Sequence, residues 1–142
     1  MREILFRGKT KRNEWIYGDL ITHGIDFDYA IKQHHTREVW DIIPETVGQF
    51  TGLTDKNGTK IFEGDIVAWY SELVVIKFGE YDAIEQSYEI GNHFRKVDKF
   101  GWFGERQNCC SKGIEFILLK DGEVIGNIYD NPELLKELQN ER

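Results

Sequence analysis

The segment 93–103 interleaves basic and aromatic residues in the run HFRKVDKFGWF. Aromatic rings can stack on nucleic-acid bases while neighbouring cations meet the phosphates, so this segment is the best candidate for nucleic-acid binding. The side chains expected to carry such binding are Arg95, Lys96, Lys99 and Trp102. A strand with its aromatic residues turned inward and its charges turned outward would show the same pattern without any ligand.

A second basic patch lies near the N-terminus and consists of Arg7, Lys9, Lys11 and Arg12. A solvated loop explains these cations equally well. The formal net charge of the whole chain is -7. Because an acidic chain is repelled by nucleic acid at long range, nucleic-acid binding would depend on one of these local patches.

Histidines could supply metal ligands, and three of them are His23, His34 and His35. Adjacent histidines cannot easily both reach one ion, and the chain has no HxH or HxxxH spacing. We therefore interpret the three histidines as residues of surface loops. We expect no bound metal and no other cofactor.

Carboxylates could instead hold Mg²⁺, which prefers oxygen ligands. Such a site would need Asp26 and Asp28 to meet Glu63 or Asp65, as in a carboxylate-dependent metal enzyme. The simpler interpretation is that Asp26 and Asp28 are solvated, while Asp65 and Asp19 accept backbone hydrogen bonds in tight turns. The sequence contains no recognisable Ser-His-Asp, Cys-His or P-loop pattern, so we expect a protein without enzymatic activity.

The two cysteines, Cys109 and Cys110, are neighbours, and no CxxC spacing encodes a zinc ribbon or a thioredoxin-type site. Adjacent side chains of a strand point to opposite faces, which disfavours a bridge between them, and two unpaired thiols suit a reducing compartment. Their reactivity depends on their exposure. Nothing in the chain approaches the ~20 apolar residues of a membrane span, and no signal peptide is recognisable, so we expect a cytoplasmic protein without membrane contact.

The elements that must position these residues are mainly strands. The length of 142 residues suits one domain over 1–142, and the aromatic fraction of 13% favours β-structure. Apolar alternation predicts strands at 3–6, 15–22, 27–33, 39–43, 46–54, 61–62, 66–70, 73–78, 114–119 and 124–129, with turns at 8–13, 55–58, 63–65 and 121–122. A helix across 28–43 is the alternative to two strands there. Asn57-Gly58 predicts a type I′ turn, and Asn131 followed by Pro132 predicts a short C-terminal helix.

Several runs of the sequence resemble those of the YopX-like proteins of phages and prophages. They are Arg2–Gly8, Tyr17–Asp19, Pro44–Leu53, Asp55–Gly58, Ile61–Val67 and Val124–Leu135. The resemblance implies a mainly β fold, an SH3-like β-roll or barrel over about 45–130 with additional N-terminal strands and a short C-terminal helix. It supplies no catalytic or binding residues, because the members of the family are generally uncharacterised.

Three functional hypotheses follow. The first is a non-enzymatic accessory module that binds a protein of the phage or of its host, since the chain is acidic, rich in aromatic residues and without a catalytic motif. The second is an SH3-like module that binds nucleic acid through 93–106, although the net charge gives it no support. The third and least supported is the metal enzyme. The sequence leaves the oligomeric state open.

Overall fold

The computed structural model of the protein describes residues 3–22, 28–87, 93–106, 111–114 and 121–135. Contacts between residues group the chain into two compact units. The N-terminal unit contains residues 1–53 and 60–62, and the C-terminal unit contains residues 54–59 and 63–142. The single domain expected over 1–142 stays a prediction.

The N-terminal unit is built on a six-stranded sheet with the strand order β4-β3-β2-β1-β5-β6. Its strands are β1 (Phe6–Lys9), β2 (Trp15–Ile21), β3 (Ala30–Lys32), β4 (Val39–Asp41), β5 (Gly48–Thr54) and β6 (Lys60–Phe62). A 3-10 turn at Pro44–Thr46 precedes β5. Two strands therefore occupy the segment around 28–43, as we preferred, and the alternative of a helix there is wrong.

The first strand begins and ends later than the sequence predicted. It includes Gly8 and Lys9, which we expected in a turn, and the turn itself is closed by hydrogen bonds between Thr10, Asn13 and Glu14. Gly8 belongs in the strand because it pairs with Ile16 of β2. It also lies against Ile42, where an added Cβ would come within 2.2 Å of the Ile42 Cγ2 atom. Polarity alone therefore misplaced the end of β1.

The core of the N-terminal unit consists of apolar residues from its strands and the segments beside them. Ile16, Ile31 and Ile42 are buried together, and a second buried cluster joins Leu5, Phe50 and Phe62. In β2 the residues alternate, with Ile16 and Gly18 inside and Tyr17 and Asp19 outside. This period of two is the one that a sheet with one covered face requires.

The C-terminal unit is built on a five-stranded sheet with the strand order β10-β9-β8-β7-β11. Its strands are β7 (Asp65–Trp69), β8 (Glu72–Ser87), β9 (His93–Arg106), β10 (Lys112–Gly113) and β11 (Glu123–Asn127). Each neighbouring pair is antiparallel. The buried apolar residues of this unit include Ile66, Val67, Val74, Ile76 and Phe103.

The loop 54–59 has the predicted position, but the predicted type I′ turn is wrong. Gly58 has a φ of 84°, whereas Asn57 does not adopt the positive φ that this turn type requires. The Asp55 side chain selects another geometry, because its Oδ1 atom accepts hydrogen bonds from the backbone N–H groups of Asn57 and Thr59, both at 2.9 Å. Its Oδ2 atom accepts a third from the backbone N–H of Val124, also at 2.9 Å.

These hydrogen bonds determine the charge state of Asp55. Burial by itself would raise the pKa of its carboxyl group, but the backbone hydrogen bonds from Val124, Thr59 and Asn57 outweigh that effect and lower the pKa below 3.8. The ionised Asp55 therefore links the loop 54–59 to the start of β11 within the C-terminal unit.

The mainly β fold and the short C-terminal helix, at residues 132–135, are both confirmed. The SH3-like character stays a prediction. The predicted strand at 114–119 lies outside the described residues except for Ile114. In the part of the chain that the structure describes, no helix is long and apolar enough to cross a membrane.

Candidate interaction face

The hairpin of β8 and β9 is much longer than the strands beside it. β8 has 16 residues and β9 has 14, and they pair from Val74 opposite Arg106 to Ser87 opposite His93. β7 pairs with β8 only up to Val75, and β10 pairs with β9 only at Phe103 and Gly104. Among the described strands, residues 77–87 and 93–102 thus pair only with each other, and we call this part the distal hairpin.

Alternation along the strands gives the distal hairpin two different faces, because directly paired residues share a face. One of them, which we call the aromatic face, carries Phe78, Glu80, Asp82 and Ile84 from β8 and Phe94, Lys96, Asp98, Phe100 and Trp102 from β9. The opposite face carries Tyr81, Ala83, Arg95, Val97 and Lys99 and continues to Phe103.

Large apolar side chains of the aromatic face are open to solvent. Phe100 is 70% exposed, Phe94 69%, Ile84 52% and Phe78 50%. Phe78 contacts two neighbours edge to face, with ring centroids 5.3 Å from Phe100 and 4.8 Å from Trp102. Soluble proteins rarely leave adjoining apolar groups of this size uncovered unless a partner covers them.

The opposite face is more enclosed. Tyr81 stacks on the buried Phe103, with ring centroids 4.7 Å apart. A cleft of about 630 Å³ opens beside this pair. Its described lining consists of Glu80, Tyr81, Asp82, Asp98, Lys99, Phe100, Phe103, Glu105 and Ser111.

Charge on the aromatic face is mainly negative, with three carboxylates, Glu80, Asp82 and Asp98, and the single ammonium of Lys96 among its described side chains. Lys96 Nζ lies 3.1 Å from Asp82 Oδ2. The hydrogen bond from Lys96 lowers the pKa of Asp82, and a hydrogen bond with Asp82 raises the pKa of Asp98, its direct cross-strand partner. Like charges directly opposite each other destabilise a sheet, so this pair has a cost that Lys96 offsets on one side only.

The four residues predicted to bind nucleic acid do not share one surface. Lys96 and Trp102 lie on the aromatic face, whereas Arg95 and Lys99 lie on the opposite face. The competing interpretation, in which the aromatic residues turn inward, is wrong for Phe94 and Phe100, although it holds for Phe103. The sequence reasoning missed the contribution of β8 because it ended that strand at Phe78.

Two of the four cations of the N-terminal basic patch are buried within the fold. Arg7 and Lys9 are each only 5% exposed. The Arg7 guanidinium carbon lies 4.6 Å from the ring centroid of Trp15 and 4.9 Å from that of Phe62, and we call these three residues the buried stack. A solvated loop is therefore wrong for Arg7 and Lys9, while Lys11 and Arg12 are exposed in the turn as expected.

The candidate metal ligands that lie in the described part of the chain are not brought together. His34 and His35 are exposed in one turn, and His34 Nε2 lies 2.9 Å from Oδ1 of Asp19, which belongs to β2 rather than to a tight turn. Asp65 is buried at the start of β7. Within the described ranges, no group of three or more His, Cys, Asp or Glu residues is placed to hold a metal ion.

Four of the residues considered from the sequence lie outside the described part of the chain. They are His23, Asp26, Cys109 and Cys110. The proposed Mg²⁺ site and the reactivity of the cysteines are consequently without a structural test.

Comparison with known proteins gives one finding about the family. Residues 5–136 match the family model described as YopX protein. The matched range includes the eleven strands that the structure describes and, with them, the distal hairpin. No curated protein matches the chain significantly.

Proposed function

The chain belongs to the YopX family, and we propose that it is a non-enzymatic accessory module that binds a protein of a phage or of its host in the cytoplasm. The observation that carries this proposal is the aromatic face. Its exposed apolar side chains share one face of a hairpin whose distal part pairs with no other described strand, and Phe78 contacts Phe100 and Trp102 there. Aromatic side chains are enriched where protein partners bury them, and they supply much of the binding energy there.

The face suits a protein partner better than a nucleic acid. Its rings could stack on bases, but three carboxylates surround them and the only described ammonium on the face is paired with Asp82. Nucleic-acid affinity comes largely from cations at phosphates. The two cations best placed by sequence to help, Arg95 and Lys99, lie on the other side of the hairpin.

The test is a tagged pull-down from a host lysate, divided into nuclease-treated and untreated halves. The wild type is compared with the double variant Phe94→Ser/Phe100→Ser and with Val39→Ser, a control that removes an exposed apolar side chain from the N-terminal unit. We expect a protein that is retained after nuclease treatment, lost with the double variant and kept with the control. Circular dichroism confirms that each variant is folded.

Two results would contradict the proposal. If the double variant retains every partner of the wild type, the aromatic face is not the binding surface. If partners appear only in the untreated half and are lost with Lys96→Glu, nucleic acid bridges them, and the nucleic-acid module becomes the better function.

A further inference from the structure

The surroundings of Phe100 combine an aromatic ring with carboxylates. Glu80 is its direct cross-strand partner, and Asp98 lies two residues away on the same face of β9. The Phe78 ring meets Phe100 edge to face. The Phe100 ring, which is 70% exposed, is therefore flanked by negative groups on two sides. A cation over a ring, held at the same time by a carboxylate, is bound both by the ring quadrupole and by a charge-assisted hydrogen bond.

The pair of Asp82 and Asp98 supports a cationic occupant independently of the rings. Lys96 neutralises Asp82, whereas Asp98 faces a carboxylate that raises its pKa. A positive side chain arriving at Asp98 would relieve this repulsion. A second copy of the chain would bring the same carboxylates together, and its net charge of -7 adds to the repulsion, so charge complementarity favours a basic partner over self-association.

We propose that the aromatic face binds an Arg- or Lys-rich segment of the protein partner, with one cationic side chain over Phe100 between Glu80 and Asp98. The inference rests on the proposed function and adds the chemistry of the partner to it. The apolar groups of that segment cover Phe78, Phe94 and Ile84.

The probe for this inference is a fluorescein-labelled octapeptide in which arginine alternates with leucine, with glutamine in place of arginine in a control peptide. Fluorescence anisotropy measures the binding of each to the full chain. We expect the wild type to prefer the arginine peptide by about tenfold or more. The double variant Glu80→Gln/Asp98→Asn is expected to lose most of that preference, as is Phe100→Leu, which keeps an apolar group but removes the ring.

A charge-matched control separates this site from general attraction to an acidic chain. Glu38→Gln/Glu45→Gln removes two exposed carboxylates from the N-terminal unit and changes the net charge equally. We expect this control to bind as the wild type does. Equal weakening in the two double variants, or equal binding of the two peptides, would overturn the inference.

The same measurements distinguish a cationic segment from nucleic acid or a second copy of the chain as the occupant of the aromatic face. They also separate failure of this inference from failure of the proposed protein-binding function. Binding of a dT oligonucleotide through this face, or self-association seen by sedimentation and abolished by Phe94→Ser/Phe100→Ser, would also overturn the inference. If Phe94→Ser/Phe100→Ser loses the lysate partner while the arginine preference is missing, the protein-binding function stands and only the cationic partner is wrong. If the lysate partner is kept, the function itself fails.

Discussion

The buried stack and the distal hairpin use the same kinds of residues in opposite ways. In the buried stack, the Arg7 guanidinium lies between the rings of Trp15 and Phe62 and is almost completely covered. In the distal hairpin, Lys96 and Phe100 stand on one face and both are open to solvent. Interleaved cations and rings therefore do not by themselves indicate whether a segment binds a ligand or holds the fold together.

The position of each strand in its sheet accounts for the difference. β1 has β2 on one side and β5 on the other, so its residues lie inside a six-stranded sheet. The distal residues of β8 and β9 pair only with each other among the described strands. A two-stranded ribbon cannot bury both of its faces, and the apolar side chains of one face then depend on a partner for cover.

The energetic roles differ accordingly. A desolvated cation between two rings contributes up to about 2 kcal/mol, and its aliphatic stem packs as well. The pair of Lys96 and Asp82 is exposed at 69% and 52% of the two side chains. Exposed ion pairs contribute little to stability because water and salt screen them, so Lys96 offsets local repulsion without holding the hairpin in place.

The largest effect is expected from Gly18→Ala in the N-terminal unit. An added Cβ would lie 2.0 Å from the backbone carbonyl oxygen of Lys32, and backbone in the adjacent strand cannot move aside as a side chain can. We expect a loss of about 3 kcal/mol or more in the free energy of unfolding, measured by urea denaturation. A change below about 1 kcal/mol would show that β2 and β3 are less tightly packed than their geometry indicates.

A smaller effect than that of Gly18→Ala is expected from Arg7→Ala. The variant loses contacts with two rings and leaves a cavity, so we expect a loss of about 2–3 kcal/mol in the free energy of unfolding. Arg7→Met keeps the stem and should recover part of it, while Arg12→Ala in the exposed turn should change little. If Arg12→Ala were as damaging as Arg7→Ala, net charge rather than the buried stack would be responsible.

The sequence predicted the strands well where apolar alternation and turn residues agree. β2 was predicted within one residue of its end, and β3 and β4 were preferred over a helix because the apolar residues of 28–43 have no period of 3.6. The distal part of β8 was missed because Glu80, Asp82 and Glu85 interrupt the apolar pattern. A strand whose faces are not covered by the rest of the protein does not need apolar residues at every second position.

The exposure of individual side chains could not be predicted from the local sequence, because it depends on contacts with residues that are distant in the sequence. Arg7 is buried by its pairing with Gly48 and its contact with Phe62. The alternation of Phe94, Lys96, Asp98, Phe100 and Trp102 does indicate a shared face. Whether that face is inside or outside is decided by the other strands of the sheet, and a period of two is the same in both cases.

The same difference between a buried and an exposed charged group is expected in the C-terminal unit, where Asp55 is buried. Asp55→Asn removes the negative charge of a carboxylate whose two oxygens accept three backbone hydrogen bonds in the C-terminal unit. We expect a loss of about 2 kcal/mol at neutral pH, whereas Glu45→Gln, at an exposed carboxylate, should change little. Both variants are measured by urea denaturation.

The pH dependence of that effect has a definite sign. The pKa of Asp55 is lowered in the folded protein from its ordinary 3.8, so its stabilising contribution is complete above pH 3.8 and is lost as the pH falls through the folded pKa. The difference between wild type and Asp55→Asn should therefore shrink below pH 3.8. A difference that stays constant under those conditions would show that Asp55 acts by shape and not by charge.

The smallest effect on stability is expected from Phe100→Ser, although the same change should have the largest effect on binding. The ring is 70% exposed and contacts Phe78, so its removal should alter the free energy of unfolding by less than about 0.5 kcal/mol. Phe62→Ala, which removes a ring of the buried stack, should cost about 3–5 kcal/mol. Urea denaturation of the two variants measures both values. A loss of several kcal/mol for Phe100→Ser would mean that the chain itself covers the aromatic face, and the face would then be part of a core with no role in binding.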